Sequence, residues 1–497
     1  MAGWGRLIGA CWRLARNDAL LPRELDDIYP PQIRTVSRVL RLLAGDGAGQ
    51  GRPGERLART LEGLGPVAIK LGQLISTRAD IFGVVFAEDL ARLKDRLAPF
   101  PTEMARKEVQ ASLGRSVESL YATFGEPVAA ASLAQAHDAT LKDGRRVAVK
   151  VLRPGIALRV AQDADAMRLA GSLAARWSKT ARRLEPQALA DTVIRATELE
   201  LDLRLEAAGG DELAQVMARD GYMTAPKVIW EGVGKQVLTL EWAKGVALSD
   251  PASLEQAGLN RQALADNLIR AFLSQALDHG VFHADLHEGN LFIAAPARIE
   301  AVDFGIIGRL GPQERRYLAE ILWGFLERNY ERVAQVHFEA GYVPRRHSVA
   351  AFAQALRAVG EPVFGRPASQ VPMSRVLIQL FEITALYEMK LRPELVLLQK
   401  TMMTVEGVAR RICPDHDIWS AADPVVRRWM LRELGPAARV KSFADEALEA
   451  MRNLARLIEN PPLTPPTPPT EDRSLFWFTM GAVVAGAAFL LARIANG

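Results

Sequence analysis

The sequence predicts an α+β fold of two lobes, and two patterns carry the prediction. Residues 145–151, Arg-Arg-Val-Ala-Val-Lys-Val, alternate in the manner of a half-buried strand. From residue 267 to 277 the helical period dominates, and the sequence then remains mostly helical to residue 458, so a strand-rich part precedes a mostly helical part. A length of 497 residues with 49% hydrophobic content is sufficient for two cores and additional segments.

The second part begins with two motifs typical of a kinase-type phosphoryl-transfer site. Asp285 and Asn290 lie in His-Ala-Asp-Leu-His-Glu-Gly-Asn at 283–290, and Asp303 opens an Asp-Phe-Gly triplet. Asp285 can orient or deprotonate an attacking hydroxyl or water. Asn290 and Asp303 offer the oxygen ligands that Mg²⁺ prefers. The motifs together predict a site for a nucleotide and a metal ion.

A lysine in the predicted strand completes this pattern. Lys150 ends Val-Ala-Val-Lys, a strand that holds nucleotide phosphates when a helix carboxylate positions its lysine. Glu206 is the candidate partner. Glu198, Asp202 and Glu206 are spaced four residues apart, so we expect one helix to carry all three on one face. Three stacked carboxylates repel one another unless cations face them, and Lys150 is one such cation.

An alanine-rich stretch occupies the place of a glycine-rich phosphate loop. Alanine enters positive-φ conformations reluctantly, so this loop is expected to be stiff, yet its small side chains let backbone approach phosphates. A strand turn without a ligand role is the alternative. The predicted nucleotide-binding residues here are Val128, Ala129, Ala130, Ala131, Ser132, Leu133, Ala134, Gln135 and Ala136.

Three further strands are predicted. Val-Leu-Thr-Leu-Glu at 237–241 runs into a connection that ends in glycine, where the backbone of Glu241 to Ala243 is expected to meet adenine. Residues 299–302 predict a strand that delivers the Asp-Phe-Gly aspartate, with 291–293 as its hairpin partner.

Upstream, a predicted helix begins near Pro66, which suits a first turn. Lys70, Gln73 and Thr77 form a polar stripe on this otherwise apolar helix. A lysine in such a helix normally extends to water. Spacing alone therefore leaves both a role in the site and a solvated face open.

The Lys-Leu-Gly-Gln element at 70–73, the alanine-rich loop, Glu200-x-Asp202 and the two phosphoryl-transfer motifs together resemble the UbiB family of atypical kinase-like proteins. The resemblance implies an atypical protein-kinase-like, two-lobed fold whose N-terminal helical extension covers the active site. It implies that Lys70 and Gln73 act there beside the Glu200-x-Asp202 motif. It also implies ATP and Mg²⁺ as cofactors and a role in ubiquinone biosynthesis, with membrane lipid, quinone precursors and other ubiquinone-biosynthesis proteins as partners.

Three features depart from familiar patterns. The catalytic loop carries Leu286 and Glu288 where family members often have Pro or Met and then Pro, and Glu288 adds an acid expected to alter metal affinity. The segment after Glu206 reads Ala-Ala-Gly-Gly, where Asn is common. No Ala-Pro-Glu follows Asp-Phe-Gly, and the chain runs directly into a predicted helix over 314–328. It therefore lacks the long segment on which protein kinases lay out a peptide.

The remaining sequence predicts a membrane anchor. Proline recurs through 460–470, which predicts a semi-rigid spacer. The uncharged stretch from Leu475 to Ala492 is long enough for a helix to cross the ~30 Å hydrocarbon core. The expected parts are a helical extension over 1–118, a kinase-like N-lobe over 119–243, a helical C-lobe over 244–459, a Pro-rich linker over 460–473 and a transmembrane helix over 474–493.

Charge and cysteine content limit the partners and the cellular compartment that we expect. The net charge of +4 arises from 62 basic and 58 acidic residues without a block of one sign, so we expect no nucleic-acid partner. Cys11 and Cys413 show no metal-ligand spacing, as suits a reducing compartment. We expect a bacterial inner-membrane protein whose catalytic domain faces the cytoplasm.

The first residues form a separate amphipathic pattern. Trp4, Ile8 and Trp12 share one face of a predicted helix, with arginines elsewhere. This pattern is typical of a membrane-surface helix and equally of a helix that packs on the protein's own extension.

Three functions compete at this point. The first is a membrane-anchored ATPase or small-molecule kinase acting in quinone synthesis. The second is a non-catalytic nucleotide sensor that scaffolds a lipid-biosynthetic complex, with the Lys70 helix blocking the site. The third is a small-molecule phosphotransferase of the aminoglycoside or choline type, whose motif shares the spacing of Asp285 and Asn290.

Overall fold

The computed structural model describes residues 2–19, 51–76, 83–91, 98–177, 186–362 and 393–435, with shorter pieces between these ranges. The predicted linker over 460–473 and transmembrane helix over 474–493 lie outside the described residues. Within the described part, no helix is long and apolar enough to cross a membrane.

Helices form the N-terminal part of the chain. They are α1 (Ala2–Arg16), α2 (Pro53–Leu64), α3 (Pro66–Ser76), α4 (Val84–Ala91), α5 (Thr102–Leu113) and α6 (Val117–Leu120). Pro66 begins α3 as expected, because proline fits the first helical turn, where its missing N–H needs no partner. Gly72 lies where a Cβ would come within 2.7 Å of Leu61 and 2.3 Å of Leu93, so this glycine lets α3 pack closely on its neighbours.

One antiparallel sheet forms the first lobe, in the order β1-β2-β3-β4. Its strands are β1 (Tyr121–Ala130), β2 (Ala134–Leu141), β3 (Arg146–Leu152) and β4 (Val237–Glu241). Val147, Val149 and Val151 of β3 are fully buried against Val109 of α5. Because side chains alternate along a strand, Lys150 points to the opposite face of the sheet.

Among the described residues, three α-helices lie between β3 and β4: α7 (Ile156–Trp177), α8 (Pro186–Leu199) and α9 (Leu203–Asp220). The predicted single helix through Glu198, Asp202 and Glu206 is wrong. Asp202 is extended and its side chain accepts the Arg204 N–H, so it caps the start of α9. The chain therefore turns between Glu198 and Asp202, and the three carboxylates do not share one helical face.

The second lobe combines short strands with helices. Its elements are β5 (Val246–Ala247), α10 (Arg261–Ser274), a π-helical turn (Gln275–His279), β6 (Val281–His283), β7 (Leu291–Ala294), β8 (Arg298–Ala301), β9 (Ile307–Arg309), α11 (Pro312–Leu326), α12 (Tyr330–Glu339), α13 (Val349–Gly360), α14 (Pro393–Ile412) and α15 (Ile418–Leu434).

Two strand pairs of this lobe hold the predicted motifs. The predicted hairpin is confirmed, because β7 pairs with β8 in an antiparallel register. The Asp285 loop connects β6 to β7, and the Asp-Phe-Gly turn connects β8 to β9, which itself pairs with β6. The absence of a long segment after Asp-Phe-Gly is also confirmed, because β9 ends at Arg309 and α11 begins at Pro312.

Two glycines bring α9 against the Asp-Phe-Gly turn. A Cβ on Gly209 would lie 2.2 Å from the Ile307 side chain, and one on Gly210 would lie 2.9 Å from the Phe304 ring. The Ala-Ala-Gly-Gly departure therefore has a packing reason, since any side chain at 209 or 210 would push the turn away from the helix.

We expect Gly210→Ala to lower the free energy of unfolding by about 1–3 kcal/mol, because the Phe304 ring would have to move within a packed core. Urea denaturation measures the change. Gly407→Ala is the matched control, since Gly407 lies within α14 and its added Cβ meets nothing within 4 Å. That control should gain ~0.5–1 kcal/mol from helix propensity. Equal effects of the two substitutions would contradict the packing role.

Candidate active site

Lys150 joins the two lobes at the centre of the site. Its Nζ donates to Glu206 Oε1 at 2.7 Å and Oε2 at 2.9 Å, and to Asp303 Oδ1 at 3.0 Å. The strand β3, the helix α9 and the turn after β8 thus meet at one ammonium group. The Glu206 side chain is 9% exposed and that of Asp303 is 50% exposed, so the cluster is closed on the α9 side and open on the other.

The pKa values of the two carboxylates shift in opposite directions. Burial opposes the charge on Lys150, but Asp303 and Glu206 outweigh burial and raise the pKa of the ammonium. Burial raises the pKa of Glu206 to about 7, although Lys150 pulls it downward. Lys150 lowers the pKa of Asp303 well below its usual range. The negative charge is therefore held most firmly on Asp303, the carboxylate that faces outward.

The backbone at Asp303 adopts an uncommon conformation, with φ at 63°. A residue other than glycine in this left-handed region is held there by its surroundings. The surroundings include the Phe304 ring, which packs on α9 and lies 5.3 Å from the His283 ring centroid. The side chain of Asp303 is thereby aimed at Lys150 by packing on both sides of the turn.

His283 ties the catalytic loop to the strand before Asp303. Its Nδ1 accepts the Asp285 N–H at 3.1 Å, so the proton of the neutral ring lies on Nε2, which donates to the Val302 carbonyl at 3.2 Å. Burial lowers the pKa of this imidazole, which keeps it neutral. His283 was not among the predicted site residues, although its place two residues before Asp285 in the motif could have suggested it.

Asn290 closes the same loop. Its Nδ2 donates to the Asp285 backbone carbonyl at 3.0 Å, and its backbone carbonyl accepts the Val302 N–H at 2.9 Å. Because the amide nitrogen is used inside the loop, the amide oxygen is the side-chain atom of Asn290 that can bind a metal ion.

His287 lies beside the catalytic aspartate. Its Nε2 is 3.6 Å from Asp285 Oδ2, while its Nδ1 accepts the Gly289 N–H. His287 is a second site residue that sequence reasoning missed.

The alanine-rich stretch forms the β1–β2 hairpin and its tip. Ala131 N–H donates to the Ala134 carbonyl at 2.8 Å, and Arg153 donates to the Ala131 carbonyl at 2.8 and 2.9 Å. None of the positive-φ residues in the described chain lies in 128–136. The tip is therefore closed by backbone and arginine hydrogen bonds, and its stiffness remains a prediction.

The side chains of this stretch face several ways. Leu133 and Ala134 are buried in a core cluster that includes Val67 of α3. Gln135 is buried and exchanges hydrogen bonds with the backbone of Phe100. These three residues can reach a nucleotide only through their backbones. The other predicted residues are Val128, Ala129, Ala130 and Ala136 on the paired strands and Ala131 and buried Ser132 at the tip.

The Lys-x-Gly-Gln helix α3 reaches the site through Lys70, whose Nζ pairs with the Glu200 carboxylate. Burial raises the pKa of Glu200 while Lys70 lowers it, and the charges of Asp303 and Lys150 also act on it. Asp202 instead pairs with Arg204. Lys70 therefore pairs with one carboxylate of the Glu200-x-Asp202 motif, and Arg204 holds the other.

Gln73 lies part-exposed on α3, one turn beyond Lys70. Within the described contacts, no side-chain hydrogen bond links it to the catalytic loop. Its place in the site remains a prediction.

The expected adenine-facing segment begins at Glu241, the last residue of β4. Glu241 N–H donates to the Lys227 carbonyl at 2.9 Å, and Trp242 N–H donates to the Arg146 carbonyl at 3.0 Å. Both donors are therefore used within the first lobe. Among the backbone hydrogen bonds of the described residues, none involves the Ala243 N–H. This leaves Ala243 as the better-placed donor of the predicted pair.

Helix α14 supports the catalytic loop from the other side. The buried Thr401 Oγ1 lies 3.0 Å from the Ala284 carbonyl, and Arg411 pairs with Glu288. Glu288 is therefore bound to α14 rather than free beside the metal ligands. No spacing in the sequence could have shown this, because more than a hundred positions separate the partners along the chain.

The fold and the site together define an atypical kinase-like protein. Residues 92–337 match the ABC1 atypical kinase-like domain, and residues 356–417 match the UbiB helical domain. The chain belongs to the UbiB family. The resemblance stated from the sequence is thus confirmed, as is a kinase-like fold of helices and sheets.

Curated relatives support this membership. Proteins named "Probable protein kinase UbiB" from Marinobacter nauticus, Pseudomonas fluorescens and Aeromonas hydrophila are 40%, 36% and 37% identical to it, over 78%, 88% and 86% of this chain and 72%, 85% and 80% of theirs. The fold is similar to that of Rv3197 from Mycobacterium tuberculosis, solved as a complex with erythromycin, with a TM-score of 0.51 and 23% identity over 79% of this chain and 98% of that chain.

We expect Arg411→Met to speed amide hydrogen exchange in the catalytic loop by roughly two- to fivefold, because a part-exposed ion pair contributes ~0.5–1 kcal/mol. Hydrogen-exchange mass spectrometry resolves the loop peptide. Arg410→Met is the matched control, since Arg410 pairs with Glu406 within α14. The same acceleration in both variants would show that α14 stabilises the loop only in a general way.

Proposed function

We propose that the protein is a Mg²⁺-dependent ATPase or small-molecule kinase that supports ubiquinone biosynthesis at the bacterial inner membrane. The observation that carries the proposal is the ion-pair cluster of Lys150 with Glu206 and Asp303, in which Asp303 is half exposed. The names of its relatives support the phosphotransferase class and the link to ubiquinone. The predicted helix over 474–493 would be the membrane anchor.

The residues present fit a magnesium ion that arrives with a nucleotide. Asp303 offers a half-exposed, ionised carboxylate. Asn290 offers its amide oxygen, because its amide nitrogen already donates within the loop. In the described part, no group of three or more His, Cys, Asp or Glu side chains is arranged to hold a metal alone. Mg²⁺ characteristically uses one or two protein oxygens together with substrate phosphates. Bound Mg²⁺ would align the phosphates and neutralise their charge.

The chain's own groups then have distinct tasks. Lys150, held by Glu206, supplies a fixed cation for the phosphates. The fastened hairpin tip, held by Arg153, presents backbone close to them without a reorganisation cost. Asp285, whose backbone is fixed by His283 and Asn290, is placed to orient a hydroxyl or water for attack.

The acceptor is proposed to be water or a small molecule. A peptide acceptor requires a surface between the Asp-Phe-Gly turn and the next helix, and here β9 passes directly to α11. The same geometry argues against a conventional protein kinase. A quinone-precursor phenol has the hydroxyl group that Asp285 would act on.

A second function, a nucleotide sensor without turnover, is favoured by one observation. Lys70 of α3 pairs with Glu200, and the charges of Asp303 and Lys150 also affect the pKa of the Glu200 carboxyl. A helix fastened this close to the cluster restricts access for an acceptor. ATP hydrolysis by the purified full chain, with and without liposomes and a quinone-precursor phenol, separates the two functions. Absence of turnover under every condition would favour the sensor.

Asp303→Asn is expected to lower Mg²⁺-dependent ATP turnover by at least about 10²-fold, because the amide cannot offset the metal and phosphate charge. Circular dichroism and thermal unfolding check that the fold is kept. Asp143→Asn is the control, since Asp143 pairs with Arg145 in an exposed turn. Turnover of Asp303→Asn at the rate of this control would remove Asp303 from the metal site.

Ala130→Gly and Lys70→Ala are expected to change nucleotide affinity in a non-additive way, with a coupling of about 0.5 kcal/mol or more. The reason is that the hairpin tip and α3 pack in one core, through Leu133 and Val67. Calorimetric titration with ATP and ADP measures the coupling. Lys142→Ala replaces Lys70→Ala in the control pair, because Lys142 lies beyond the opposite end of β2. Simple additivity in both pairs would place α3 outside the nucleotide site.

A further inference from the structure

Helix α1 presents an apolar stripe to the outside of the protein. Trp4, Ile8 and Trp12 follow one another at intervals of one helical turn and are 53%, 64% and 46% exposed. Arg16 continues the same row and is also exposed. Large exposed apolar side chains grouped on one face mark an interaction surface more strongly than the same residues scattered singly.

The stripe is held outward by contacts on the other faces of α1. Arg6 pairs with Asp163 of α7 and donates to Gln162, while Arg13 donates to the Gly63 carbonyl at 2.9 Å. Ala15 is buried at the end of the helix. Of the two alternatives left open by the sequence, packing on the protein is observed, and it leaves the other side of α1 uncovered.

The chemistry of the stripe identifies the partner. We propose that α1 docks on an anionic lipid surface, with the ring faces of Trp4 and Trp12 and the Ile8 side chain inserted at the headgroup boundary. Tryptophan favours this boundary because it combines a large apolar ring with an N–H donor. The helix has no acidic residue, and exposed Arg16, at the end of the stripe, provides a positive charge that attracts anionic headgroups.

This contact is separate from the nucleotide site and does not rest on ATP turnover. It also differs from a spanning anchor, because an amphipathic helix lies in the plane of the membrane surface. The glycines beside the stripe, Gly5 and Gly9, have nothing within 4 Å of an added Cβ, so this side of α1 is uncovered in the described residues.

The test uses the full chain reconstituted in nanodiscs and compares hydrogen exchange of the α1 peptide in neutral phosphatidylcholine with that in discs containing phosphatidylglycerol. We expect exchange in α1 to slow by about fivefold or more in the anionic discs. Replacing Trp4, Ile8 and Trp12 by Ser should abolish this protection, and Arg16→Gln should reduce it. Trp230→Ser is the matched control, because Trp230 is 52% exposed outside α1.

Three results would overturn the proposal. Equal α1 exchange in detergent, neutral discs and anionic discs would show that lipid does not cover the stripe. Protection that is independent of lipid and is lost when residues 460–497 are deleted would assign the stripe to the chain's own C-terminal segment. Protection in detergent that rises with protein concentration would assign it to a second copy. Thermal unfolding of each variant confirms that loss of protection is not loss of fold.

Discussion

The site depends on one cation held between two carboxylates. Lys150 has an ammonium group that is largely withdrawn from water, and such a charge is tolerated only where oppositely charged groups with good geometry surround it. Glu206 and Asp303 supply these groups from two separate segments of the chain. The sheet of the first lobe, helix α9 and the Asp-Phe-Gly turn therefore come together at this ammonium group, and removing Lys150 would leave the largely buried Glu206 carboxylate without a counter-charge.

Helix α9 meets this requirement through details that have little to do with helix propensity. The turn before it leaves Glu200 free to face Lys70, and Asp202 is used as the helix cap. One turn further, Glu206 receives Lys150. Beyond that, Gly209 and Gly210 admit Phe304 and Ile307, so the turn that carries Asp303 rests directly on the helix. A single helix thus positions both members of the carboxylate pair, one through its own side chain and the other through packing.

The parts predictable from the sequence were those whose signal is local. The β3 strand with its lysine, the β7–β8 hairpin and the direct passage from the Asp-Phe-Gly turn to α11 each follow from alternation or from spacing over a few residues. The predicted carboxylate stripe through Glu198, Asp202 and Glu206 is wrong, because a spacing of four residues places side chains on one face only within a single helix. Asp202 caps the start of α9, so Glu198 does not belong to that helix. The sequence predicts Gln135 as a nucleotide-binding residue and Glu288 as an acid that alters metal affinity, yet their side chains contact Phe100 and Arg411, which are remote in sequence.

The segments outside the kinase-like core reach the site through single ion pairs. Lys70 of α3 and Arg411 of α14 each contribute one such pair, to Glu200 and Glu288 respectively. Lys150 instead makes three hydrogen bonds to two carboxylates, so its position does not depend on one contact. The Lys150 cluster therefore keeps its partners while either single pair opens. A ligand or surface that favours one position of α3 is then sufficient to change access to the site, and the core needs no rearrangement for this to happen.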